Sequence, residues 1–520
     1  MLNRIVVTLG CWLLLALRAS AQTLAVDDPV LRNIWHEAMD SSRLELLGHQ
    51  LLDVIGPRLT GSPQMEQAHE WAVRTYAAWG IEAKKEPWGR WRRWERGITH
   101  VDLLEPRVRS LEATMLAWSP ATKKNGITAE LVILPDVDDS LAFQRWLPSV
   151  KGKFVLISMP QPTGRPDKDW EEFALKDSFD SLKALRSRTT DAWAARLRKT
   201  GFKADTLPDI LEQAGAAGTL TNRWSFGWGV DKVFGTTAHK TPVIDVSLED
   251  YTLLYRLTEY GDKPLIRVVT ESKTGDEVPT FNTVATIRGT EKPDEYVILS
   301  AHLDSWDAGS GATDNGTGTI TMMEAMRILE KYYPHPKRTI IAGHWESEEQ
   351  GLNGSRAFVI DHPDIVAKAQ AVFNQDNGTG RVIGIGAQGL IHAGEFLARW
   401  LTEVPSEVTK NIRLDVPGMP MGGGSDNASF TAAGAPGFGL FSNTWDYFLY
   451  TWHTNRDTYD KLVFDDLKNN AVLVASLAYL ASEDPQFLPR DRRVMPVDLK
   501  TGQPRPWPEL HEPNRTGAPH

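Results

Sequence analysis

The chain has 520 residues, 41% of them hydrophobic and 24% charged, with a formal net charge of −10. That length exceeds a single core of ordinary size, so two domains plus extensions are expected. The acidic balance, with no stripe of Lys or Arg, argues against a nucleic-acid partner.

The first residues form a leader. Met1 to Arg4 give a short positive start, Ile5 to Leu17 an apolar run, and Ala19-Ser20-Ala21 a small-x-small cleavage site. The apolar run is too short for a stable membrane span, so residues 1–21 read as a secretory signal with Gln22 as the new N-terminus. An exported chain, periplasmic or secreted and free of the membrane once cleaved, is expected. The only cysteine, Cys11, lies inside this leader. Disulfides, cysteine-ligated zinc and cysteine nucleophiles are thereby excluded from the rest.

Residues 22–122 open helically. Leu44, Leu47, Leu51, Leu52 and Ile55 recur at helical spacing and stop at the breaker pair Gly56-Pro57. A turn over Arg58 to Pro63 precedes a second helix over Gln64 to Trp79, and Trp88, Trp91 and Trp94 open a strand-like stretch. Residues 123–280 change character. The short β runs Glu130–Leu134 and Lys153–Ile157 flank a charged helix around 169–203, and Thr241–Ser247 closes the region, which reads as an inserted β-rich domain. Residues 281–484 alternate strand and helix most clearly. Thr283–Ile287 and Tyr296–Ser300 are expected to pair, Thr317–Tyr332 and Asn470–Ser482 to be helices, and Thr339–Gly343, Ala371–Asn374 and Gly437–Phe441 to be buried parallel strands. Together these imply an α/β fold whose mixed, mostly parallel sheet is sandwiched by helices. The tail, 485–520, is rich in Pro and Arg and reads as a surface wrap or a disordered segment.

Metal-capable residues fall at the ends of those strands. The first run ends in His302-Leu303-Asp304, and a glycine-rich loop then leads to Asp314 at the start of a helix. Later runs end near Glu346, Glu348 and Glu349, at Asp376, and ahead of His453. In an open α/β sheet ligands bind outside the carboxyl ends of the strands. Each residue alone reads as polar surface or a helix cap; their arrival together at one edge points to a metal site. Two divalent ions about 3.5–4 Å apart need a short carboxylate between them. Asp314 suits that place, with His302 and Asp376 on one ion and Glu349 and His453 on the other. Imidazole and carboxylate without thiolate suit zinc, with manganese or cobalt as substitutes. Glu348 is left free as general base, and Asp304 is placed to hold the second nitrogen of His302.

Several features are set aside. His344 and Glu346 do not form His-Glu-x-x-His, and no Gly-x-Ser-x-Gly occurs. His392 reads as a surface or packing histidine. The aromatic run Trp445, Tyr447, Phe448, Tyr450 and Trp452 reads as core packing in preference to a pocket wall.

The segments His302–Asp304, Gly311–Gly318, Glu348–Ser355 and His453–Thr458 resemble the dizinc peptidase family of bacterial leucyl aminopeptidases and glutamate carboxypeptidase. Within it the likeness is to the plasma glutamate carboxypeptidase branch, through His302–Asp307 and Pro336–Thr339. It spans about 40–120 and 280–482 and includes Arg58–Ser62. The resemblance implies two zinc ions on the five named ligands, Glu348 as base, and a protease-associated-like insert. Gly422–Asn427 departs from the family pattern, which leaves substrate preference open. The expected substrate is a small peptide or dipeptide cleaved from a free terminus, and the motifs do not decide between aminopeptidase and carboxypeptidase. A homodimer is compatible with this reading. The rivals are a glutaminyl-cyclase-like acyl transferase with one zinc and a metal-free, receptor-like module.

Overall fold

A computed structural model describes residues 27–517; the signal expected over 1–21 lies outside them. The N-terminal part is helical where leucine spacing requires it. Pro29–Asp40 is capped by Asp28, whose carboxylate accepts the Val30 and Leu31 N–H groups. Leu44–Gly48 runs into a wider turn, His49–Ile55, and Gly56 ends it with φ 83°. The helix Pro63–Ala78 follows, with Ser62 accepting the Met65 N–H and Pro63 at the first position.

Fourteen strands follow: β1 (Glu82–Glu105), β2 (Arg109–Leu111), β3 (Ala113–Met115), β4 (Ile127–Ile133), β5 (Phe154–Leu156), β6 (Gly218–Thr221) and β7 (Val243–Val246). The rest are β8 (Leu265–Ile287), β9 (Lys292–His302), β10 (Arg338–Trp345), β11 (Ala369–Gln375), β12 (Val382–Gly386), β13 (Arg413–Asp415) and β14 (Gly437–Ser442). The hydrogen-bonded order is β13-β12-β14-β11-β9-β10-β8-β4-β5-β6-β7-β3. Strands β9, β10, β11 and β14 are mutually parallel.

Alternate residues of these strands feed two cores. Val297, Leu299, Ile340 and Phe373 pack with the helices Thr317–Tyr332 and Phe464–Glu483 on one face. Ile298, Ile341, Trp345 and Val372 pack on the other face against Phe358 and Phe430. Both faces are therefore covered, as a mostly parallel sheet requires.

The pairing expected between 283–287 and 296–300 is not found. Strand β10 lies between β8 and β9, antiparallel to the first and parallel to the second. All eight β10 residues are buried, so a strand covered on both faces takes an interior place instead of leaving β8 and β9 as neighbours. Strands β1 and β8 form a long antiparallel ribbon from Glu82–Thr286 to Glu105–Leu265. One end of β8 pairs with β10, and the other, Leu265 to Val268, with β4. Residue 280 thus lies within a strand shared by both sheet halves. In the inserted region β4, β5, β6 and β7 form a parallel ladder, with β3 antiparallel on its edge. The long helix Lys176–Lys199 covers the charged stretch read from the sequence.

Candidate metal centre

The four parallel strands β9, β10, β11 and β14 point the same way and deliver their carboxyl ends to one edge. Trp345 pairs with His302, so the residues after Trp345 emerge beside that histidine. Asn374 pairs with Ser300, which sets Asp376 level with His302 from the other side. Asp314 comes from the loop before the helix Thr317–Tyr332, and its peptide bond to Asn315 is cis. His453 follows β14 after an aromatic segment and adopts φ 61°.

These side chains converge. His302 Nε2 is 3.0 Å from Asp376 Oδ1 and 3.4 Å from Asp314 Oδ1. His453 Nε2 is 2.9 Å from Glu349 Oε2 and 3.3 Å from Asp314 Oδ2. One oxygen of Asp314 therefore faces each imidazole. The donor atoms form two groups, His302–Asp314–Asp376 and Asp314–Glu349–His453, each within 4.8 Å.

The electrostatics fit cations between them. Burial, with repulsion from Asp314, pushes Glu349 up to about 7. Burial raises Glu348 well above the usual carboxylate range, and the charges of Asp376, Asp426 and Glu349 add to it. Asp376 is raised by the same causes, burial and Asp314. At His453 burial works the other way, yet the carboxylates of Glu349 and Asp314 raise it to about 9. Buried acids this close repel one another, and hard or borderline cations are the species that relieve it. Nitrogen and oxygen donors without sulfur suit zinc.

The surroundings hold the donors in place. Nδ1 of His302 lies 3.0 Å from the Asp304 carbonyl oxygen and 3.5 Å from its carboxylate. That carboxylate also accepts the backbone N–H groups of Glu348 and Glu349, at 3.1 and 3.3 Å. Asp304 thus ties the end of β9 to the acidic turn after β10. Asp457, quoted in the sequence motif but given no role there, accepts the N–H groups of Thr313 and Asp314. Arg58 is fully buried and donates to the carbonyls of Gly56, Leu303, Ser310 and Gly311. It pins the loop between His302 and Asp314, and its position in Arg58–Ser62 is the signal that marked it.

The inserted region also reaches this site. The Val233 N–H donates to the His453 carbonyl, and the Phe234 ring stands 4.9 Å from the His453 ring. Trp306 and Trp452 flank the same imidazole at 5.9 and 4.1 Å. Nothing in local sequence joins 234 to 453, so only tertiary folding brings Phe234 to the site. The aromatic run itself divides: Tyr447 is buried, Trp445 and Phe448 are more than half exposed, and Trp452 lies on His453.

The residues set aside lie elsewhere. His344 Nε2 meets the Tyr76 hydroxyl at 2.7 Å, and burial lowers its pKa to about 3, which keeps it neutral. Glu346 pairs with His69 and accepts the Phe281 N–H. His392 is exposed near Asp491.

Residues 282–478 match peptidase family M28. The chain is similar to carboxypeptidase Q of Mus musculus, 29% identical over 441 residues, covering 85% of this chain and 86% of that protein. Its fold is similar to the crystal structure of a peptidase M28 precursor from Shewanella amazonensis SB2B, with a TM-score of 0.66 at 24% identity over 88% of this chain and 97% of the other. A zinc aminopeptidase from Bacillus subtilis shares the fold at a TM-score of 0.54 and 18% identity, covering 86% of this chain and 97% of the other. Over residues 282–478 the chain is similar to peptidase family M28.

Proposed function

We propose that this chain is a zinc-dependent exopeptidase that hydrolyses small peptides, dipeptides among them, with two ions held by His302, Asp314, Glu349, Asp376 and His453. The observation that carries the reading is Asp314, whose two carboxylate oxygens face two different imidazoles. Zinc bound here supplies Lewis acidity and eases deprotonation of water. Glu348 stands beside the donor set without being needed in it. Its carboxylate takes the proton from the attacking water and returns it to the leaving amine. Phe234, Trp306 and Trp452 wall the His453 side and keep solvent from it.

The relatives' names differ on which terminus is used. We take the carboxypeptidase or dipeptidase side, because the likeness to carboxypeptidase Q extends over 85% of the chain and includes the insert. The test is a panel of dipeptides with free, N-acetylated and C-amidated ends. The reading expects cleavage that stops on chelation, returns with zinc and requires a free carboxylate. Equal cleavage of doubly blocked peptides would contradict it.

Export belongs to the same proposal. Among the described residues no helix is long and apolar enough to cross a membrane. Cleavage after Ala21 is expected, so sequencing of exported protein should begin at Gln22; a chain that retains Cys11 would contradict this.

A further inference from the structure

The inserted region carries a cavity that the metal centre does not use. Strands β5 and β6 run parallel, and at their carboxyl ends lies an open cavity of about 570 Å³, lined by Ser158, Trp193, Asn222, Arg223, Trp224 and Lys232 together with apolar neighbours. This edge is where parallel α/β sheets place their ligands.

Asp245 acts on both cations there through space, but no carboxylate pairs with either directly. Lys232 is only 7% exposed, and a lysine so buried normally has an anionic partner. Its ammonium instead stands 4.5 Å from the Trp452 ring centroid, and the Arg223 guanidinium 4.5 Å from that of Phe234. Among the described residues neither charged end has an ion pair or hydrogen bond. The neighbouring buried acid, Asp245, is occupied by the N–H groups of Lys232 and Arg223 and by the Thr221 hydroxyl. Asp205 is exposed and, although its charge acts on Arg223, it forms no ion pair with either cation. Burial lowers the Lys232 pKa to about 8, so it still carries its charge at neutral pH. Two indoles, Trp193 and Trp224, supply apolar wall beside these cations.

Position separates this cavity from the metal centre. Lys232 forms a β-bridge with Thr454, while the next residue, Val233, bonds the His453 carbonyl. Lys232 lines the cavity and His453 reaches the zinc ligands, so a single strand contact lies between the two sites.

We propose that this cavity is a second binding site, one for a small organic carboxylate whose charge is taken by Lys232 and Arg223 and whose apolar part packs on Trp193 and Trp224. The inference stands independently of the reaction assigned to the metal centre. It is tested by calorimetric titration of the full zinc-loaded chain with phenylacetate and with phenylacetamide, which has the same shape without the charge. Saturable binding of the acid alone is expected. Lys232→Met should weaken it about tenfold or more, as loss of a charge-assisted contact implies, with zinc content unchanged. Arg223→Gln, at an exposed side chain, should weaken it as well and decides the matter if Lys232→Met loses its zinc or its fold. Absence of binding to the unmodified chain, equal binding of acid and amide, or undiminished affinity in a variant that keeps its zinc would overturn the proposal.

Discussion

Asp457 and Asp314 are joined backbone to side chain. The Asp457 carboxylate accepts the Asp314 N–H at 3.1 Å and the N–H and hydroxyl of Thr313 at 2.7 and 2.8 Å. A carboxylate from the segment that bears His453 thereby sets the direction of the residue proposed to lie between the two metals. Supporting partners of metal ligands typically carry about 10–100-fold in affinity. Asp457→Ala should weaken both zinc ions together by about that factor, read by chelator competition. Loss confined to one ion would show that Asp457 acts on His453 alone.

Asp304 divides its two ends. Its carbonyl is the nearer partner of His302, at 3.0 Å against 3.5 Å for its carboxylate, which holds the Glu348 and Glu349 backbone. Asp304→Ala keeps the carbonyl and removes the carboxylate. Zinc at the Glu349–His453 side should therefore weaken by about tenfold or more, and turnover should fall, while the His302–Asp376 side changes less. Stepwise zinc removal followed by competition separates the two; equal loss at both sides would assign the carboxylate to His302 after all.

The neighbours Glu348 and Glu349 take different tasks in the proposed reaction. Glu349 lies 2.9 Å from His453 Nε2, whereas Glu348 belongs to neither donor group. Glu348→Gln should lower kcat by about 10²–10⁴-fold with both zinc ions retained. Glu349→Gln should lose zinc affinity first. Metal content and steady-state kinetics on both variants decide it, and a zinc-depleted Glu348→Gln with a zinc-replete Glu349→Gln would exchange the roles.

Much of this site could be read from sequence because ligand chemistry is local. His302 closes β9, and Glu349 and Asp376 come just after β10 and β11, so strand ends alone place them on one edge. The partner of β8 could not be read this way, since β10 enters from fifty residues downstream and only burial on both faces selects its place. Asp304 illustrates a different limit. Its spacing from His302 suggests a carboxylate–imidazole contact, which is present at 3.5 Å, but the two nearer N–H donors from the turn after β10 have no local pattern to reveal them. Phe234 and Val233 escape altogether, because a loop of the insert meets His453 only through tertiary folding.

Stability should respond to pH through Glu37. Its carboxylate accepts from Arg327 at 2.6 Å, Lys331 at 2.7 Å and Tyr332 at 3.0 Å, tying Pro29–Asp40 to the helix that follows Asp314. Burial alone would raise its pKa, but these donors outweigh it and lower the value to about 2. A depressed carboxylate contributes fully above its unfolded value near 4.5 and loses that contribution as pH falls through about 2. Glu37→Gln should thus destabilise the chain at pH 7 by at most about 3 kcal/mol. The gap to the unmodified chain should close between pH 4.5 and 2. Urea unfolding across that range measures it; a gap that widens on acidification would show the opposite sign of coupling.

The bridging place of Asp314 is tested most directly by the zinc content of the full chain at saturation, with and without Asp314→Asn. The account predicts two ions per chain and, in the variant, weaker binding of both together with loss of peptide hydrolysis. A single ion at saturating zinc, or an Asp314→Asn chain that holds two ions as tightly as before, would contradict it.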